Sequence, residues 1–192
     1  MIHNKYFGIL KHYLGNYKKE TYGRELLKTS RSSQKNIALT LQDLQKKGVL
    51  QSRSSGTLKY YHLNLANPQI KDFLLITELL QKIEFAARHP KIAHIFKQDT
   101  RIVGIFGSYA KGTEKKDSDI DLFIVGNKRT IDYDKEGAAF DLNISIKYFS
   151  EKQFQQLIVK NPLTNEIFEN HVLIFGGERF IDIVWKNKYG LD

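Results

Sequence analysis

The segment "RIVGIFGSYAKGTEKKDSDIDLFIV", residues 101–125, constrains the fold more than any other stretch of the chain. Ile102, Val103, Ile105 and Phe106 form a short apolar run of the kind buried as a strand, and it breaks at Gly107-Ser108 into what reads as the first turn of a helix. A second strand-like run follows, in which Asp119-Ile120-Asp121 leads into Leu122, Phe123, Ile124 and Val125. Alternate residues of a strand share a face, so Asp119 and Asp121 point to one side. Two carboxylates that close raise each other's proton affinity and repel unless a cation lies between them. At the end of the first strand, Gly107 lets the backbone turn sharply, and the N–H groups beyond it, with the Ser108 hydroxyl, form a site for an anion. An anion site beside a paired-carboxylate site is what a nucleoside triphosphate with Mg²⁺ requires, because Mg²⁺ takes a few carboxylates together with phosphate oxygens and water. Lys111, in the same helical segment, either adds positive charge there or is plain surface.

The bulk properties narrow the chemistry further. The chain of 192 residues is long enough for one large domain or two small ones. It has no cysteine, and its six histidines show no zinc-ligand spacing, so a metal must be held by oxygen. The N-terminal "MIHNKYFGILKHYLGN" lacks the apolar stretch of a signal peptide, and no segment approaches the roughly 20 apolar residues of a membrane span. A cytoplasmic protein with no membrane partner is expected. Charge is divided unevenly: residues 1–98 hold 17 Lys and Arg against 6 Asp and Glu, whereas residues 99–192 hold 13 against 15. A basic half is an electrostatic match for phosphate backbones, or equally a plain solubilising surface, and charge alone does not choose between them.

The basic half has its own pattern. An amphipathic helix is predicted over about residues 4–16, with Tyr6, Phe7, Ile9, Leu10, Tyr13 and Leu14 on its buried side, and "TYGRELLKTS" reads as a second, short helix. A turn follows at Ser30 to Ser32. The third helix starts at an N-cap of Ser32 or Ser33, buries Ile37, Leu41 and Leu44, and stops at Gly48. Two β-like runs around the turn "SRSSG" then make a hairpin. Three helices and a hairpin, over about residues 5–65, resemble the winged helix-turn-helix of DNA-binding regulators. That resemblance implies a third helix in the major groove and a wing on the backbone of duplex DNA. Lys35, Asn36, Leu39, Gln42 and Lys46 face outward; Gln34, Lys35 and Asn36 are the candidate base contacts, and Arg53 and Lys59 in the wing the candidate phosphate contacts. A long helical stretch over residues 67–98, broken at His89-Pro90, carries Ile70, Phe73, Leu74, Ile76, Leu79, Leu80 and Ile83 over more than one stripe, which suggests packing on another domain or a homodimer contact.

With strand, Gly-Ser turn, short helix and Asp-x-Asp strand in order, ten residues separating Ser108 from Asp119, residues 101–125 resemble the nucleotidyltransferase superfamily typified by DNA polymerase β. The minimal nucleotidyltransferases of prokaryotes are the nearest type. With the tail "KNPLTNEIFENHVLIFGGERF", read as a helix leading into a last strand, the resemblance extends over about residues 95–180. It implies a third carboxylate on a neighbouring strand. "FDLNISIKYF" offers Asp141, which alternation would place on one face with Asn143 and Ser145; Asp132, Asp134 and Glu136 read instead as a charged, solvated connection. The family chemistry then gives Asp119 and Asp121 as ligands of two Mg²⁺ ions, Asp141 as a ligand of the second ion and proton acceptor, and Gly107, Ser108 and Lys111 as the triphosphate site, with ATP the expected nucleotide.

The expected architecture is therefore α+β: a winged helix-turn-helix at 1–66, a helical linker at 67–98, and an α/β sandwich with a mixed sheet at 99–192. Some fifty residues follow Asp141, too few for a large acceptor-binding domain, so the acceptor is expected to come from elsewhere. The leading expectation is a transcriptional regulator that binds a nucleoside triphosphate and transfers its monophosphate to a hydroxyl. The alternatives are a nucleotide-sensing regulator without turnover and an antitoxin that modifies a partner toxin.

Overall fold

A computed structural model describes residues 4–29, 32–127, 131–159 and 161–191. The chain forms two compact units, Met1–Thr77 and Glu78–Asp192.

In the first unit, helix α1 (Asn4–Leu10) passes into one 3₁₀ turn (Lys11–Tyr13), so the regular helix is shorter than the expected 4–16. Strand β1 (Thr21–Tyr22) follows, where a helix start was expected; helix α2 is Gly23–Thr29. A β-branched and an aromatic residue suit an extended pair, and Tyr22 meets Tyr60 edge-on at 5.7 Å. Two residues are too few to show a period of two. Of the turn expected at Ser30 to Ser32, residues 30 and 31 lie outside the described residues.

Helix α3 (Gln34–Lys46) starts where the Ser33 hydroxyl accepts from the Asn36 N–H (3.3 Å), and it buries Ile37, Thr40, Leu41 and Leu44. Strands β2 (Leu50–Ser55) and β3 (Leu58–Leu63) pair antiparallel with Ser55 opposite Leu58. The hairpin turn is therefore Gly56-Thr57, beyond the expected Ser52–Gly56, because Arg53 to Ser55 continue the ladder. With β1 the sheet runs β1-β3-β2, and Tyr13 donates to the Tyr61 carbonyl (3.1 Å) beneath it. Helix α4 (Ile70–Arg88) runs on into the second unit. Of the apolar stripe expected as a dimer contact, Ile70 and Leu74 are buried, Phe73, Ile76 and Leu80 half-buried, and Leu79 and Ile83 are 49% and 63% exposed.

The second unit continues with α5 (Pro90–Ile95), β4 (Ile102–Phe106), α6 (Gly107–Lys111), β5 (Ile120–Val125), α7 (Tyr133–Ala138) and β6 (Ile144–Phe149). Helices α8 (Glu151–Leu157) and α9 (Pro162–Glu169), strand β7 (Val172–Phe175) and α10 (Gly177–Ile183), which passes into a π-helical turn (Val184–Lys188), complete it. The sheet order is β6-β5-β4-β7, with β5 and β6 parallel and the other pairs antiparallel, a mixed sheet. Val103, Ile105, Ile120, Leu122 and Ile124 pack one face against Phe85, Ile92, Ile95 and Tyr133. On the other face the Phe123 ring stacks on Phe154 at 6.2 Å and meets Phe180 at 6.0 Å. Burial on both sides accounts for the continuous apolar runs in β4 and β5, and each buried Ile or Leu contributes about 1.5–3 kcal/mol. The outer edge of β7 is covered by α4: Gln81 donates through its side-chain amide to the His171 carbonyl, and the Lys82 ammonium donates to the Ile174 carbonyl (2.6 Å). Beside them, the buried Glu78 carboxylate meets His171 Nε2 at 3.0 Å.

Candidate active site

The site lies where β4 ends beside β5. Phe106 is extended and stands opposite Asp121, and the next residue, Gly107, has φ +68°. An added Cβ there would overlap the Asp121 carboxylate, 3.2 Å from Cγ and nearer still to Oδ2. Gly107 is thus required twice, for its left-handed backbone and for the space that Asp121 fills. Helix α6 closes one turn later, where the Ser108 carbonyl accepts from the N–H groups of Gly112 and Thr113.

Asp119 is exposed and Asp121 half-buried. Burial pushes the Asp121 carboxyl above the usual range; the Asp119 charge adds to this, Lys147 on β6 opposes it, and Glu166 on α9 adds again. Asp121 therefore carries its charge against burial and against Asp119 beside it, and the two carboxylates could hold a divalent cation completed by phosphate oxygens and water.

The other expected residues are placed less simply. Asp141 is not in a strand: β6 begins at Ile144, and Asp141 has φ +55° in the turn that closes α7, its N–H donating to the Ala138 carbonyl (3.3 Å). The strand therefore starts four residues later than the alternation read from Phe140 presumes. Asp141 does line one open cleft of about 540 Å³ with Asp119, Asp134, Asn143 and Ser145. The segment expected as a solvated connection is helical: Asp132 caps α7 by accepting from the Lys135 N–H (3.3 Å), Asp134 and Glu136 lie in its first turn, and Glu136 pairs with Lys97 at 2.7 Å. Among the described residues, no three His, Asp or Glu side chains gather so as to hold a metal.

Lys111 is already paired, its ammonium 2.7 Å from Glu166 Oε1. Glu166 is a residue the sequence reading missed; it is 55 positions from Lys111, and only the packing of α9 brings it to the Asp121 side.

In the first unit, Gln34, Lys35 and Asn36 are exposed at the start of α3, and Leu39 beyond them is 53% exposed. Arg53 is held by Glu20, with Nε donating to Oε1 at 2.6 Å, and its guanidinium lies 5.0 Å from the Tyr60 ring. Lys59 donates to the Gln45 side chain at 3.0 Å. Neither Glu20 nor Gln45 was legible as a partner in the sequence.

Residues 90–179 match the family "Polymerase beta, Nucleotidyltransferase". The matched span runs from α5 into α10 and includes all four strands of the mixed sheet, so this part of the chain is a polymerase-beta-like nucleotidyltransferase domain. The match supports a nucleotidyltransferase-type enzymatic activity for that domain. No curated protein and no solved structure gives a significant match to the chain. The first unit, outside the matched span, has the helices and three-stranded sheet with which a winged helix-turn-helix is consistent. No helix among the described residues is long and apolar enough to cross a membrane.

Proposed function

We propose that the second unit transfers a nucleoside monophosphate from a triphosphate, with ATP the first candidate, to a hydroxyl acceptor, and that the first unit is a winged helix-turn-helix that binds duplex DNA. The observation that carries the enzymatic part is the packing of Asp121 against Gly107 with Asp119 beside it, inside a domain that matches nucleotidyltransferases. Asp119 and Asp121 would hold Mg²⁺, which when bound neutralises triphosphate charge. The Ser108 hydroxyl and the N–H groups near it donate to phosphate oxygens, and Lys111 joins them by exchanging the Glu166 carboxylate for phosphate. Asp141, across the cleft from Asp119, takes the proton of the acceptor hydroxyl as its oxygen bonds to the α-phosphorus. The bond from that phosphorus to the bridging oxygen breaks, and pyrophosphate leaves with the electron pair.

Calorimetry with ATP, with and without Mg²⁺, tests the binding step, and transfer of an α-phosphate label into lysate components tests the chemistry. Wild type should bind only with Mg²⁺, Asp119→Asn with Asp121→Asn should not bind, and Asp141→Asn should bind normally but transfer nothing, since a proton acceptor acts chiefly in the transition state. Equal binding by the double variant would overturn the cation site. Label appearing on one partner protein would identify the toxin-modifying reading.

A further inference from the structure

The neighbourhood of Asp121 on β6 departs from a site for two ions. Partners in a parallel pair share a face. Asp121 is paired with Ser145 and Phe123 with Lys147, while the Asn143 carbonyl accepts from the Ile120 N–H at 2.9 Å and so carries the ladder down to the level of Asp119. The residues of β6 and its lead-in that share the Asp119–Asp121 face are therefore Asn143, Ser145 and Lys147. None is a carboxylate. On the opposite side of β5, Asp121 stands beside Phe106 of β4. Asp141 is anchored before the strand by the turn of α7, in which the Leu142 N–H donates to the Gly137 carbonyl (3.1 Å), and Glu166 is engaged by Lys111.

An ammonium on that face has two consequences. It offsets the charge of Asp121, and it repels a second divalent ion while offering three donors to phosphate oxygens. Lys147 is exposed, makes no salt bridge with a described residue, and lies one position along the same face from the partner of Asp121, within the diagonal reach of a long side chain.

We infer that the site takes a single divalent cation, held by Asp119 and Asp121, and that Lys147 supplies the second positive charge to the bound triphosphate. This rests on the reading of the aspartate pair as the cation site. Mn²⁺ binding to the full chain is counted by electron paramagnetic resonance in the presence of an α,β-methylene triphosphate. One ion per chain is expected for wild type and for Asp141→Asn, with a new second ion in Ser145→Asp, which restores a carboxylate in register with Asp121. Lys147→Met should keep one ion but weaken the analogue about tenfold, the worth of one charge-assisted hydrogen bond. Two ions in wild type, falling to one in Asp141→Asn, would overturn the inference while leaving the cation site standing. No ion in wild type would overturn both, and unchanged analogue affinity in Lys147→Met would remove Lys147 from the site.

Discussion

Replacing Gly107 by alanine and, separately, Gly112 by alanine divides backbone strain from the placement of Asp121. The two glycines bracket α6 with the same φ of +68°, so each substitution forces an L-residue into the left-handed region at about 1–2 kcal/mol. For a unit of this size that lowers the melting temperature by about 3–8 °C. The surroundings differ. A Cβ at Gly112 meets only the far end of the Arg88 guanidinium at 3.8 Å, an ordinary contact. A Cβ at Gly107 meets Asp121 Cγ at 3.2 Å and Cβ at 3.4 Å, with Oδ2 closer, so the carboxylate must shift on the order of 1 Å to reach normal packing distance. Misplacement of that size costs about 10²-fold in a pre-positioned site. Thermal melts and Mn²⁺ titration of both variants, followed by label transfer, make the comparison. Both should melt lower by similar amounts, Gly112→Ala should retain divalent affinity within about twofold, and Gly107→Ala should lose about 10²-fold in affinity and transfer. If Gly107→Ala binds and transfers as Gly112→Ala does, the contact with Asp121 does not position the site.

Four further outcomes are expected. Because burial and Asp119 hold the Asp121 carboxyl above its ordinary range, its ionised form burdens the folded unit at neutral pH; Asp121→Asn should raise the melting temperature in chelator at pH 7, an advantage lost as pH falls from the raised value to the ordinary carboxylate range, and a lower melting temperature at pH 7 would refute this. Glu166→Gln should free Lys111 and tighten triphosphate binding by up to about fivefold, since a partly exposed pair is worth about 0–1 kcal/mol, whereas weaker binding in calorimetry would show that Glu166 assists the ligand. In fluorescent-duplex titrations, Glu20→Gln should release Arg53, tighten binding to all sequences and steepen the salt dependence by about one ion, while Lys35→Ala with Asn36→Ala should relax sequence preference; an unchanged salt slope would remove Arg53 from the interface. Burial alone would lower the His171 pKa, but Glu78 and the Phe168 and Ile167 carbonyls outweigh it and raise it, so the pair's stabilisation is present below the ordinary histidine range and lost as pH rises through the raised value; Glu78→Gln should cost about 3–5 kcal/mol in denaturant at neutral pH and flatten that dependence.

What could be read in the sequence was what repeats locally. The spacing of Ile37, Leu41 and Leu44 behind the Ser33 cap, and the apolar runs of β4 and β5, place their elements because each is long enough to show its period. Strand β1, with two residues, cannot. "DYDKEGAA" was hidden by its charge, although Asp132 at the cap and acidic residues in the first turn suit a helix start. Asp141 was misplaced because alternation presumes that a strand has begun, and a left-handed residue resets the faces. The pairs Lys111 with Glu166 and Arg53 with Glu20 span 55 and 33 positions, and no local pattern encodes a meeting at that distance. The gathering at Asp121 was legible on its own strand and illegible across strands.

The covering of β7 by α4 bears on how the chain is made. An open strand edge is a template for pairing with other chains. The amide of Gln81 and the ammonium of Lys82 precede their carbonyl partners by 90 and 92 positions. At ribosomal rates of about 5–20 residues per second, they exist roughly 5–20 s before β7 emerges. The cover is thus synthesised ahead of the edge, and a nascent chain can close this side of the sheet as soon as the strand appears. A fragment begun at residue 99 would contain every strand of the sheet and lack that cover, so it is the fragment, rather than the intact chain, that should be prone to aggregate.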